Sequence, residues 1–254
     1  LATFVVSKKV LMILKRPLFI KIFFAALCFS FSLSAQNTIP VVTHYMQQSG
    51  GYAPLYNGQI PPAYKMLFEG TYYLESEEYQ EGTVVYNGKF YTGLLLNLNA
   101  HLDELYIRMS GYYTSSILLK KLVTSFTLGD KEFVHITKED QPSVPKEGFY
   151  RVLYAGTALT VLKKTNKLLS SVSAASDMKA SHSFSESHYY YLLKDGIFYP
   201  VTRKASLLRA LQDQRGPLNR FIRENKLKFT SEMSQVKDNT IVKCGQFYDN
   251  LIAQ

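Results

Sequence analysis

The chain has 254 residues and a formal net charge of +9. Five of its cations, Lys8, Lys9, Lys15, Arg16 and Lys21, lie before residue 36, where no acidic residue occurs, so without that segment the charge falls to +4. About 219 residues then remain, enough to bury a full core in one β-rich domain or a domain with an appendage, and the modest charge weakens the compositional case for nucleic acid.

The basic opening is followed by an apolar run over residues 22–33 and then by Ser34-Ala35 before the polar Gln36-Asn37. That order of basic, apolar and small-residue regions predicts a secretory signal peptide over residues 1–35. The run is about a dozen residues, against the roughly 20 that a membrane-spanning helix needs. Cleavage after Ser34 uses Ser32 and Ser34 as the small pair, and cleavage after Ala35 puts Leu33 in the upstream position. Met12 opens a more conventional signal sequence than Leu1 does. Cys28 follows Leu27, where a lipoprotein signal would carry a small residue. The other cysteine, Cys244, then has no partner within the mature chain, so the fold is expected to rest on its core.

Residues 36–64 are rich in Gly, Pro, Asn, Gln and Tyr, and read as an extended arm that Tyr45, Tyr52, Tyr56 and Tyr64 can pin to the domain. From 65 to 202 the turn chemistry predicts an antiparallel β domain. The strongest signal is residues 82–86, then Asn87-Gly88, then 89–98, because a two-residue type I′ turn needs positive φ twice and Asn-Gly supplies it. A third strand is expected over 104–109. Further pairs turn at Gly129-Asp130 (123–127 with 132–137), at Ala155-Gly156 (149–154 with 158–163) and at Asp195-Gly196 (188–193 with 197–201). The expected class is mainly β, built of meanders and hairpins as a sandwich or partial barrel, with a helical end, α+β overall.

Residues 138–147, with two prolines, predict an exposed connection. Residues 166–181, with several serines and small alanines, fit a short helix or a loop, the helix being preferred. After Arg203 the apolar period becomes helical. Ser206 is expected to cap a helix carrying Leu207, Leu208 and Leu211, Gly216-Pro217 to break and restart it, and a third helix to begin near Ser231 with Val236, Thr240, Cys244, Phe247, Tyr248 and Leu251 on one stripe. The segment 203–254 is therefore expected to pack on the sheet as a small helical unit.

The hairpins "GTVVYNGKFYTGLLLNLN" and "HYYYLLKDGIFYPV", with the closing "LLRALQDQRGPLNRFIRENKLKF" and "QFYDNL", give a pattern that resembles a group of uncharacterised exported cell-envelope proteins of Bacteroidota. The resemblance covers most of residues 68–110 and 186–251. It implies export and a β-rich fold, and it carries no activity, cofactor or catalytic residue onto this chain.

His182, Glu186 and His188 in "HSFSESH" fall on one face if the segment is extended, and their nitrogen and carboxylate ligands suit zinc, although a serine-rich loop with exposed histidines gives the same residues. No G-x-S-x-G elbow and no phosphate-binding Gly-Lys-Ser/Thr loop occurs in the sequence. Cys244 falls on an apolar helical stripe and reads as structural. Glu75, Glu77, Glu78 and Glu81 read as a solvated acidic run before a strand. The absence of Trp lowers the case for sugar stacking on a Tyr-rich sheet. Arg209, Arg215, Arg220, Arg223 and Lys226 form a basic helical face that suits lipopolysaccharide, an acidic glycan or an acidic envelope protein, or is simply solvated. The expectation is a non-enzymatic binding or structural component of the periplasm or outer membrane, without cofactor, nucleic-acid partner or transmembrane span in the mature chain. The alternative is an envelope hydrolase or metal-dependent enzyme acting on glycan or peptide.

Overall fold

The computed structural model describes residues 54–253 other than 110, 112, 172–180 and 231–232, all within one unit spanning 45–254. The expected signal segment, and the arm as far as residue 53 with Tyr45 and Tyr52, lie outside the described residues.

Asn87 and Gly88 both adopt positive φ, 49° and 72°, and join β2 (Gln80–Tyr86) to β3 (Lys89–Asn99) in the type I′ hairpin that the sequence predicts. The meander continues through β4 (Glu104–Arg108) and β5 (Ser115–Ile117). A second meander comprises β6 (Val123–Leu128), β7 (Lys131–Ile136), β8 (Gly148–Ala155), β9 (Thr160–Ser171) and β10 (His182–Lys194), with β11 (Ile197–Pro200) turning back on β10. The two meanders fuse where β6 pairs with β2, giving one open path, β1-β10-β9-β8-β7-β6-β2-β3-β4-β5, in which the short β1 (Phe68–Glu69) is parallel to β10 and every other pairing is antiparallel. The fold is mainly β with a helical end, as expected.

Two local readings are corrected. Residues 166–171, for which a helix was preferred, continue β9, because each of them pairs with the facing residue of β10, from Asn166 with Ser187 to Ser171 with His182. Satisfying backbone groups in a long two-stranded ladder outweighs the weak helical preference of a Ser-rich stretch. Residues 172–180 of that stretch lie outside the described residues. Ser206 caps the first helix from its third position and not as the N-cap residue: α1 (Lys204–Ala210) starts after Arg203, and Ser206 Oγ reaches back in a capping box to accept from the backbone N–H groups of Thr202 and Arg203 at 3.0 and 3.1 Å. A 3-10 turn leads into α2 (Arg215–Glu224), which carries Pro217 in its first turn, and α3 (Ser234–Ile252) closes the chain.

The helices cover one end of one sheet face. Leu207, Leu211, Leu218, Ile222, Ile241 and Cys244 pack there on Leu159, Val161, Tyr190 and Leu192. A smaller cluster on the other face joins Tyr150, Leu162, Tyr191 and Phe198 to Val144, so the 138–147 connection is anchored by one buried side chain. Two aspartates tie α3 to the sheet: Asp249 accepts from the Tyr154 hydroxyl at 2.7 Å and the Ala158 N–H at 3.0 Å, and Asp238 accepts from Lys163 and Tyr190. The described part of the arm is also attached, since Leu55 is buried and Ile117 N–H donates to the Gln59 carbonyl. No helix of the described residues is long and apolar enough to cross a membrane.

Candidate functional site

The face that packs against the helices continues beyond them into a polar cleft of about 660 Å3. Its walls come from β7 to β10, from the strand β3 with the segment before β2, and from the first turns of α3. Strand alternation explains the lining. In the register of β8, β9 and β10, Arg151 faces Lys163, Lys163 faces Tyr190, Thr165 faces His188 and Lys167 faces Glu186. Residues two apart on a strand share a face, so a band of charged side chains runs across three strands.

Most of that charge is neutralised locally. Lys163, only 6% exposed, places its Nζ 2.9 and 3.0 Å from the two Asp238 oxygens, and the Tyr190 hydroxyl donates to the same carboxylate at 2.6 Å. Burial, and then the bond to Asp238, push the Tyr190 hydroxyl well above the usual tyrosine range. Glu186 lies 2.9 Å from His188 Nε2 and 3.4 Å from Lys167 Nζ. A carboxylate only accepts, so Nε2 carries the hydrogen, and in the neutral ring Nδ1 accepts from the Thr165 hydroxyl 3.1 Å away. The hydrogen bond from His188 holds the Glu186 carboxyl below its ordinary range against the opposing effect of burial. At the rim, Lys131 pairs with Glu75.

Arg151 is the exception. Its Nε is buried in the cleft wall without a hydrogen-bond partner, and Arg151 takes part in no ion pair among the described residues. The cleft as a whole sets three cations, Arg151, Lys131 and Lys163, against the carboxylates of Glu75, Asp130, Glu132, Glu186 and Asp238.

Of the residues singled out as metal ligands, Glu186 and His188 are brought together in this cleft. His182 lies six residues along the strand and is engaged with the Ser181 hydroxyl at 2.7 Å. No group of three His, Cys, Asp or Glu side chains arranged to hold a metal is found among the described residues. Cys244 is fully buried under the helices, where burial pushes its thiol up to about 12. Arg209, Arg215, Arg220, Arg223 and Lys226 are all exposed and outside the ion pairs of the described residues. Arg209 and Arg215 border a shallow depression of about 440 Å3 between α1 and α2. The acidic run is solvated at Glu77, Glu78 and Glu81, and Glu75 is its paired member.

Aromatic side chains concentrate away from the helices, where Tyr64, Phe68, Tyr72, His101 and Phe184 meet mainly edge to face, with Tyr64 stacked on Tyr72 at 4.7 Å. Their faces are engaged with one another, which is cross-element packing rather than an open stacking platform.

Arg151, Lys163, Thr165, Lys167 and Asp238 were not singled out in the sequence. The signal available for three of them is the spacing Lys163-Thr165-Lys167 on one face of β9, masked in the sequence by Lys164 and Asn166 between them; Asp238 stands in a polar helical turn and carries no such mark. Compared with known proteins, the chain matches no family model, no curated protein and no solved structure. Fold and cleft together define an α+β protein with one large open sheet and a polar cavity between that sheet and its carboxy-terminal helix.

Proposed function

We propose that the chain is a non-enzymatic, exported protein of the cell envelope that holds a ligand in the polar cleft. The observation that carries this reading is an open cavity of about 660 Å3 in which Lys163 is paired with Asp238, Glu186 with His188 and Lys167, and Lys131 with Glu75, while Arg151 in its wall has no ion-pair partner among the described residues. That volume lies within the roughly 300–1,000 Å3 range of small-molecule sites. Groups locked in mutual pairs form a fixed electrostatic frame, which serves recognition better than proton transfer. Export rests on the amino-terminal sequence pattern. The exposed, unpaired cations of α1 and α2 support a second contact, with an acidic glycan, lipopolysaccharide or an acidic envelope protein.

A hydrolase acting on envelope glycan or peptide is the second reading, and the carboxylate-oriented imidazole of His188 at the cleft favours it. Crosslinked purification from the source cell envelope separates the two. The binding reading expects a stoichiometric molecule released on denaturation, amino-terminal processing near residue 35, and a macromolecular partner lost when Arg215, Arg220 and Arg223 are reversed in charge. Turnover of envelope peptide or glycan that is abolished by Glu186→Gln or His188→Ala overturns it in favour of the hydrolase.

A further inference from the structure

Arg151 stands at the centre of the charged band on β8, facing Phe133 of β7 on one side and Lys163 of β9 on the other. Lys163 is already held by both oxygens of Asp238, so it does not compete for a further anion. A guanidinium is always charged and presents donors in a planar fork, and a buried donor without an acceptor is costly to maintain. We infer that the cleft binds a small molecule through a single carboxylate group clamped by the Arg151 guanidinium.

This inference rests on the binding reading above and names the chemistry of its ligand. Three features select a singly charged carboxylate. The Arg151 guanidinium lines the cleft with no ion-pair or side-chain hydrogen-bond partner among the described residues, and a carboxylate matches the outer edge of a guanidinium with two parallel hydrogen bonds. The rest of the lining is acidic on balance, three cations against five carboxylates, which repels a phosphate dianion more than a monoanion. The amino-terminal turn of α3 contributes Ser234 and Gln235 to the wall, so the positive end of the helix dipole lies on the same side. The remaining length of the cleft, bordered by Phe133, Val152 and Leu153, takes the uncharged body of the ligand.

The test is calorimetric titration of the full chain at neutral pH with acetate, hexanoate and N-acetylalanine, with their methyl esters and with inorganic phosphate. At least one carboxylate is expected to bind saturably, its ester not to bind, and Arg151→Met to weaken binding tenfold or more. Arg151→Lys, which keeps the charge and loses the fork, should fall between them. Arg151→Met removes an unpaired buried donor, so its melting temperature is expected at or above that of the parent; should it fail to fold, Arg151→Lys gives the same reading. Absence of saturable carboxylate binding, unchanged affinity in Arg151→Met, or tighter binding of phosphate than of every carboxylate overturns the inference. A released envelope ligand that is neutral or cationic overturns the carboxylate while leaving the binding reading intact, whereas substrate turnover with no retained ligand overturns both.

Discussion

Replacing Asp238 by alanine removes the counter-ion from a lysine that is 6% exposed and the acceptor from a buried tyrosine hydroxyl. Breaking one side of a buried ion pair costs about 3–5 kcal/mol, because the remaining charge stays desolvated without compensation. For a domain of this size that loss lowers the melting temperature by roughly 6–20 °C. Lys163→Met should cost less, since Asp238 keeps the Tyr190 hydroxyl and a side chain that is 12% exposed. The triple replacement Lys163→Met, Asp238→Leu, Tyr190→Phe removes every polar partner at once and should recover most of the loss, about 2 kcal/mol or more. Urea denaturation at neutral pH measures all four proteins, provided the dependence on denaturant stays constant. A loss below about 1 kcal/mol for Asp238→Ala, or a triple variant as unstable as that single one, refutes the claim that this triad fixes α3 against the sheet.

Tyr73, Tyr106, Tyr150 and Tyr190 are buried, and burial raises each hydroxyl above its ordinary 10.0; a raised folded value gives stability that is complete below pH 10 and lost as the pH climbs, by at most about 5 kcal/mol per pH unit for four protons, so unfolding is expected at roughly pH 11–13. Tyrosinate absorbance should rise together with the loss of far-ultraviolet circular dichroism, and ionisation of these tyrosines with the dichroism unchanged would contradict their burial. Gly148 has φ of +132°, and a Cβ there would overlap the Asp103 carboxylate that Lys120 and Lys164 hold in place; Gly148→Ala should therefore cost about 1–3 kcal/mol in urea denaturation, and a loss below about 0.5 would show that the turn yields freely.

Hairpins were legible because their turns need particular residues. Asn87-Gly88 supplies two positive φ values and Asp195-Gly196 supplies φ of 52° and 71°, so the strands on either side follow without any knowledge of the core. The fusion of the two meanders was not legible, because β2 and β6 meet through backbone pairing across 36 or more residues and no turn records it. The 166–171 stretch misled for a related reason: its strand character comes from the facing half of β10 and not from its own residues. In the cleft, the Glu186 and His188 pair was visible as a two-residue spacing, whereas Lys163 and Asp238 are 75 positions apart and become partners only when α3 docks. Arg151 reads in sequence as one cation in an apolar strand, and only burial distinguishes it from a surface arginine.

That distinction bears on why the charged band exists. Below it, Val161, Leu192, Ile241 and Tyr248 show that the same sheet face packs well against α3 with apolar side chains. Continuing that packing through positions 151, 163 and 238 would avoid the desolvation of a buried ion pair and of an unpaired guanidinium, and hydrophobic replacements of such pairs are often neutral or stabilising by about 1–4 kcal/mol. The fold therefore does not need these charges where they stand. Lys163 and Asp238 cancel each other and fix the helix, whereas Arg151 has no acceptor among the described residues, so its charge at the cleft is the one that packing and pairing leave unexplained and that the proposed carboxylate ligand would explain.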